Sequence, residues 1–211
     1  MGLFGRCIKF IFDRVMALLG LLALGWLLIA IGIWIKVKMP GSPVLYVQDR
    51  IGRHGKRFKI HKFRTMYEDN EGPSVAYPVE GRVTPQGEKL RRTKLDELPE
   101  LWDVLIGNMS FVGPRPDVPG YADMLQGDDR VVLEMRPGIT GPATLKYKHE
   151  EKLLEDYVTK AKAEGDTRSE TEIALWYNDN VIYPDKVRIN CEYYRNYSFF
   201  KDIKLIFKTV F

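Results

Sequence analysis

RVTPQGEKLRRTKLDELPELWDVLIGNMSFVGPRP, residues 82–116, places two adjacent acids, Asp96 and Glu97, at the head of an apolar-periodic run formed by Leu98, Leu101 and Leu105. Pro99 falls in the first turn, where a missing N–H costs little, so the spacing predicts a helix whose N-terminus carries both acids. The free N–H groups and positive dipole end of a helix lower a carboxylate's pKa and attract phosphate oxygens. Arg91, Arg92 and Lys94 lie just upstream, and Arg115 follows between two prolines that stiffen its loop. Acids and cations gathered at a helix start suit phosphate chemistry. The same residues also fit an ordinary capped helix with solvated charges.

Upstream, residues 44–51 read as a strand, Gly52 and Gly55 supply a turn, and residues 56–64 read as the partner strand. In an extended strand Phe58, Ile60, Lys62 and Arg64 share a face, so two cations project from a stiff base and can hold a diphosphate. A basic hairpin lying on acidic lipid headgroups is an equally open reading. Residues 1–66 carry 12 Lys+Arg against 2 Asp+Glu, net +10, leaving 20 against 26, net −6, for the remainder. Each basic residue beside an anionic leaflet gains roughly 1 kcal/mol. No nucleic-acid-binding motif accompanies this basic region.

Further upstream, residues 15–35 are 21 consecutive uncharged positions. As a straight helix they extend about 31 Å, close to the roughly 30 Å of membrane hydrocarbon. A signal peptide has a shorter apolar region, and Arg6 stands where N-myristoylation prefers Ser or Thr. Arg6, Lys9 and Arg14 precede the run while Lys36 and Lys38 follow it. Positive charge at both ends favours a path that re-enters the side it left, with a single-pass anchor as the alternative.

Downstream, Arg136-Pro137-Gly138-Ile139-Thr140-Gly141-Pro142 reads as a rigid turn. Residues 148–164 have a helical pattern ended by Gly165, and Ser169-Glu170-Thr171-Glu172 resembles a capping box before a helix expected to stop ahead of Pro184. This region reads as a solvated helical insertion, and residues 67–81 as a polar loop. In residues 198–211, Phe199, Ile203, Ile206 and Val210 fall on one helical face and Lys201, Lys204 and Lys208 on another. That pattern suits either a membrane-interface helix or a helix packed on the protein's own core. Cys7 and Cys191 lack metal-ligand spacing and read as free thiols, and His54, His61 and His149 form no zinc motif.

Five motifs occur in order: Lys62-Phe63-Arg64-Thr65-Met66, Arg82-Val83-Thr84, Leu95-Asp96-Glu97-Leu98-Pro99-Glu100-Leu101, Met109-Ser110-Phe111-Val112-Gly113-Pro114-Arg115-Pro116 and Arg136-Pro137-Gly138-Ile139-Thr140-Gly141. Together they resemble the bacterial sugar transferases, the monotopic polyprenyl-phosphate phosphoglycosyl transferases, most closely the small single-domain members. The resemblance runs from about residue 10 to 210 and weakens across residues 147–180. It implies an α+β fold, mostly helical with a short β-hairpin. Residues 1–38 would be a re-entrant membrane helix, and residues 39–211 a cytosolic catalytic domain ending in an amphipathic interfacial helix. The family usually breaks its membrane helix at a Ser-Pro pair. Here Gly25-Trp26 aligns with that point, and Gly20, Gly25 and Gly32 are the expected places for a bend.

The resemblance further implies transfer of a phospho-sugar from a UDP-sugar to a polyprenyl phosphate such as undecaprenyl phosphate, with release of UMP. This would be the first membrane step of glycoconjugate assembly, at the cytoplasmic face of the bacterial inner membrane. Asp96 would be the nucleophile and the likeliest contact for Mg2+, with Glu97 as base or orienting group. Lys62, Arg64, Arg91 and Arg115 would bind phosphate, and Arg136, Gly138 and Thr140 would border the nucleotide-sugar. Two other classes fit the residues alone. A membrane-anchored metal-dependent phosphohydrolase predicts phosphate release without lipid, and a membrane-surface adaptor predicts that Asp96→Asn alters only helix stability.

Overall fold

The computed structural model describes residues 3–67 and 82–210. The polar loop expected after Tyr67 lies outside the described residues. The uncharged run folds as one helix, α1 (Leu3–Lys38), long and apolar enough by length and composition to cross a membrane. The helix continues without interruption through Gly20, Gly25 and Gly32, the places expected for a bend. A single glycine costs a helix roughly 1 kcal/mol, too little to interrupt a long apolar run. No proline, the commonest cause of a sharp kink, stands between residues 3 and 38.

Along one side α1 rests on the rest of the protein. Its Lys9 Nζ lies 2.6 Å from Asp202, and Phe12 meets Phe199 edge-on at 5.1 Å. Midway, Ala17 packs with Ile60, Val104 and Met109. Near its end, Ile31 and Ile35 pack with Phe63, Leu90, Leu95 and Leu98. Both ends of the helix therefore share one body. The opposite side, Leu22, Trp26, Ile29, Ile33 and Val37, is 61–73 % exposed and recurs every three or four residues as one apolar stripe.

The expected hairpin forms from β1 (Leu45–Ile51) and β2 (Arg57–Phe63), antiparallel, with Tyr46 opposite Lys62, Gln48 opposite Ile60 and Arg50 opposite Phe58. Cross-strand partners share a face, so Arg50 and Lys62 project to the same side. Helix α2 (Pro85–Arg92) is capped by Thr84, whose hydroxyl accepts from the Gly87 N–H at 2.8 Å. Gly87 lies so close to the exit of β2 that a Cβ would fall 1.9 Å from the Thr65 carbonyl oxygen.

The helix expected to begin at the acids starts later. Residues 95–97 form a 3-10 turn after Lys94, which adopts a left-handed conformation (φ 56°), and α3 (Glu100–Ile106) begins behind Pro99. Bonds from Leu98 N to Leu95 O and from Leu101 N to Leu98 O keep this approach in tight i to i+3 turns. Pro99 has no N–H to bond Leu95, so an α-helical turn cannot close there.

Strand β3 (Ser110–Val112) pairs in parallel with β4 (Gly138–Thr140). The pairing is very close: a Cβ on Gly138 would lie 2.1 Å from the Gly113 nitrogen. Then follow α4 (Pro142–Lys146), α5 (Glu150–Ala163), α6 (Glu170–Tyr177), α7 (Tyr183–Arg195) and α8 (Phe199–Val210). The capping box at Ser169 and Glu172 is present in both directions. The α6 helix ends at Tyr177, ahead of Pro184 as expected, but the chain stays helical beyond it. A π turn over Asn178–Ile182 joins α6 to α7, putting Pro184 in a first turn, where its missing N–H is tolerated. On α8, Leu205 and Ile206 pack against Val112, Met135 and Tyr193, while Phe200 and Phe207 face outward among exposed lysines.

Candidate active site

The acids of the 3-10 turn meet Lys62 of β2 and Arg115 of the Gly-Pro-Arg-Pro loop. Glu97 Oε1 accepts from Lys62 Nζ at 2.7 Å and from an Arg115 Nη at 2.9 Å. Lys62 Nζ also lies 3.1 Å from Glu100, the first residue of α3. Burial by itself would raise the Glu97 pKa, but Arg115 and Lys62 outweigh it and hold this carboxyl ionised, well below the usual range. Glu100 goes the other way. Burial, countered by Lys62 but reinforced by Glu97, pushes it up to about 7.

Asp96 is 8 % exposed, and its Oδ1 has no hydrogen-bond partner. Burial and then the neighbouring Glu97 raise its pKa, while Lys62, Lys94 and Arg91 pull it down. A buried carboxylate oxygen with no partner inside a ring of cations is costly unless a ligand completes it. Mg2+ commonly takes one or two carboxylates together with substrate phosphate oxygens. Asp96 Oδ1 fits as that single carboxylate, since Glu97 Oε1 is engaged twice and the described residues hold no cluster of three potential ligands.

Behind this site, Asp103 of α3 grips β2. One oxygen accepts from the His61 backbone N–H at 2.9 Å and the other lies 2.8 Å from His61 Nδ1. Asp103 is fully buried, so the clamp sets β2, and with it Lys62, against the start of α3. On the open side, Arg91 is bonded to Glu151 of α5 at 2.6 Å, and Lys186 to Glu150 at 2.7 Å.

Of the residues read from sequence, Asp96, Glu97, Lys62, Arg91 and Arg115 come together. Arg64 is placed elsewhere: it is buried and donates to the Met39 carbonyl, closing the end of α1. Arg136 also lies apart. Its Nε donates to the Gly107 carbonyl at 2.8 Å, at the far end of α3, and its guanidinium sits 4.8 Å from the Phe10 ring centre. Gly138 donates its N–H to the Pro114 carbonyl, and Thr140 is bonded to Thr209 at 2.7 Å. The Arg-Pro-Gly segment thus buttresses the loop that carries Arg115. A cavity of about 40 Å³ lined by Arg6, Lys9, Phe10 and Arg136 opens near the start of α1, away from the acids.

Sequence reading did not single out Glu100, Asp103, Arg50 or the α5 acids. Glu100 and Asp103 stand three apart on a short helix, a spacing that was legible. Nothing local marked Glu150 and Glu151, because they reach the site only through the packing of α5.

The acid pair, with lysine and arginine about it, sits in a 3-10 turn whose Leu95 and Leu98 pack against the long apolar helix. The chain belongs to the bacterial sugar transferase family, which it matches over residues 4–211. It is 35% identical over 212 residues to the UDP-glucose:undecaprenyl-phosphate glucose-1-phosphate transferase of Escherichia coli, covering 98% of this chain and 40% of that one. It is 31% identical over 191 residues to the UDP-N-acetylgalactosamine-undecaprenyl-phosphate N-acetylgalactosaminephosphotransferase of Aeromonas hydrophila, covering 87% of this chain and 38% of the other. Against the exopolysaccharide production protein ExoY of Sinorhizobium fredii it is 30% identical over 219 residues, covering 94% and 82%. The chain therefore spans about two fifths of the first two relatives and most of the third.

Proposed function

We propose that this protein transfers a phospho-sugar from a UDP-sugar to a polyprenyl phosphate such as undecaprenyl phosphate, releasing UMP. The observation that carries the reading is the unpartnered, buried Oδ1 of Asp96 within reach of the charges of Lys62, Lys94 and Arg91, in a chain of this family. Asp96 attacks the sugar-linked phosphorus, the bond to the bridging oxygen breaks, and UMP leaves with that oxygen. The resulting acyl phosphate is then attacked by an oxygen of the lipid phosphate, which expels the Asp96 carboxylate and leaves a polyprenyl diphosphate sugar. Lys62 and Arg115 hold phosphate charge as it develops, and Arg91 joins them when Glu151 releases it.

Glu97, kept ionised by two cations, is a weak base and serves better to orient Lys62 and Arg115. Glu100, with its pKa near neutrality, is the better-matched proton carrier for the incoming lipid phosphate. Asp96 would be the residue to hold Mg2+, which would supply neutralisation of diphosphate charge.

For the membrane, both ends of α1 rest on one body and its outer stripe is apolar throughout. This supports a helix embedded from one side without crossing, and the proposal sets it at the cytoplasmic face of the bacterial inner membrane. Phe200, Phe207 and the α8 lysines are suited to the headgroup region beside it.

The test is intact-protein mass after exposure of the detergent-purified chain to UDP-sugars with magnesium and no lipid. The expected result is a phospho-sugar adduct on Asp96, discharged by undecaprenyl phosphate and absent in Asp96→Asn. Phosphate release without lipid would favour a phosphohydrolase, and neither adduct nor UMP from a broad panel would favour a membrane adaptor.

A further inference from the structure

Arg50 shares the hairpin face of Lys62. It stands four residues from Tyr46, the cross-strand partner of Lys62, so the two cations are separated by about 13 Å along the sheet. Arg115 stands between them, bonded to Glu97 on one side and repelling Arg50 on the other. The Arg50 guanidinium is held in place by neutral groups. One Nη donates to the Pro116 carbonyl at 3.2 Å, the other donates to the Gln48 side-chain oxygen, and the buried Nε has no partner. Among the described residues no carboxylate lies within ion-pair distance of it. Its guanidinium is thus fixed by the backbone of the Arg115 loop and the hairpin, near the like charge of Arg115, with Asp117 and Glu100 attracting it only from beyond ion-pair distance.

Arg50 is bonded to the carbonyl of Pro116, the residue that follows Arg115, and holding two guanidiniums at one short loop costs free energy that a shared anion recovers. We propose that Arg50 and Arg115 form a second phosphate station beside the Asp96 site, taking a phosphoryl group of one of the two substrates. Asp96 already faces Lys62, Lys94 and Arg91. The reaction also involves a nucleotide-side phosphate that leaves and a lipid phosphate that arrives, and either has the chemistry of a group held between two guanidiniums. The station deepens the transferase reading and, as to which substrate it holds, rests on it.

The test uses the full chain in detergent with Arg50→Gln and Arg50→Lys. Steady-state rates are taken with UDP-sugar varied at fixed undecaprenyl phosphate, and the reverse. Thermal unfolding is followed with and without inorganic phosphate. Arg50→Gln is expected to raise the KM of one substrate about tenfold or more with a smaller change in kcat, and to lose the stabilisation by inorganic phosphate, while Arg50→Lys recovers part of both. A rise confined to UDP-sugar assigns the station to the donor, and one confined to the lipid assigns it to the acceptor. KM values for both substrates within about twofold of wild type would overturn the station, as would an Arg50→Gln protein that fails to fold, which would make Arg50 a brace for Pro116. Wild type that turns over no UDP-sugar yet shows Arg50-dependent stabilisation by phosphate would retire the transferase reading and leave the anion station standing.

Discussion

Replacing Lys62 by methionine removes the one cation that touches both Glu97 and Glu100, at 2.7 and 3.1 Å, and fills its stem volume with an apolar chain. Lys62, Glu97 and Glu100 side chains are 18 %, 13 % and 3 % exposed, so water replaces little of the lost charge. Removing one member of a buried ion pair costs about 3–5 kcal/mol. The loss here is smaller, because Arg115 still serves Glu97 and Glu100 can take up a proton.

Glu100 makes the loss depend on pH. Its folded pKa, about 7, lies above its ordinary 4.5, so the folded state binds the proton more tightly. Stability therefore falls as pH rises from about 4.5 through about 7, by roughly 3 kcal/mol for that rise. Without Lys62 the folded pKa climbs further, and the fall continues to higher pH. The variant should lose about 1 kcal/mol at pH 6, where Glu100 is protonated in the variant and largely so in wild type, and about 3 kcal/mol at pH 8.5. For a chain of this size that corresponds to a Tm lowered by roughly 2–4 °C at pH 6 and roughly 6–12 °C at pH 8.5. Thermal unfolding of both proteins in detergent at the two pH values measures it. Equal deficits at both, or none at either, would refute the buried arrangement of Lys62 between two carboxylates.

Asp103→Ala leaves the His61 N–H without its acceptor and should cost about 2–3 kcal/mol in denaturant unfolding, with lowered turnover because Lys62 loses its support. In Gly138→Ala the new Cβ would meet the Gly113 nitrogen at 2.1 Å. That substitution should cost at least about 3 kcal/mol and displace the Arg115 loop, read as loss of both Tm and UMP release. Glu151→Gln frees Arg91 from an exposed pair worth under about 1 kcal/mol, so Tm should stay within 2 °C or so while the KM for UDP-sugar falls. An unchanged or raised KM would show that Arg91 does not reach the donor.

The sequence by itself determined the hairpin, the long apolar helix, the Ser169 capping box and the acid pair with its surrounding cations. Each is written in local terms: a charge-free run, alternation about a glycine turn, a cap followed by an acid, or adjacent charged residues. It also determined that the acids precede α3, although Pro99 shifted them into a 3-10 turn. What only the tertiary structure decided concerns groups whose partners are distant in the chain. Strand alternation placed Arg64 beside Lys62, yet β2 ends at Phe63, and the chain turns Arg64 under the Met39 carbonyl at the end of α1. The Arg136 motif by itself reads as a rigid turn, and only packing sets its side chain against Gly107 and Phe10. Arg50, Glu100 and Glu151 gain their meaning from Arg115, Lys62 and Arg91, which reach them from other elements. A charge is legible in the sequence, but its pKa and its partner depend on burial and through-space distance, and only the packed chain sets those.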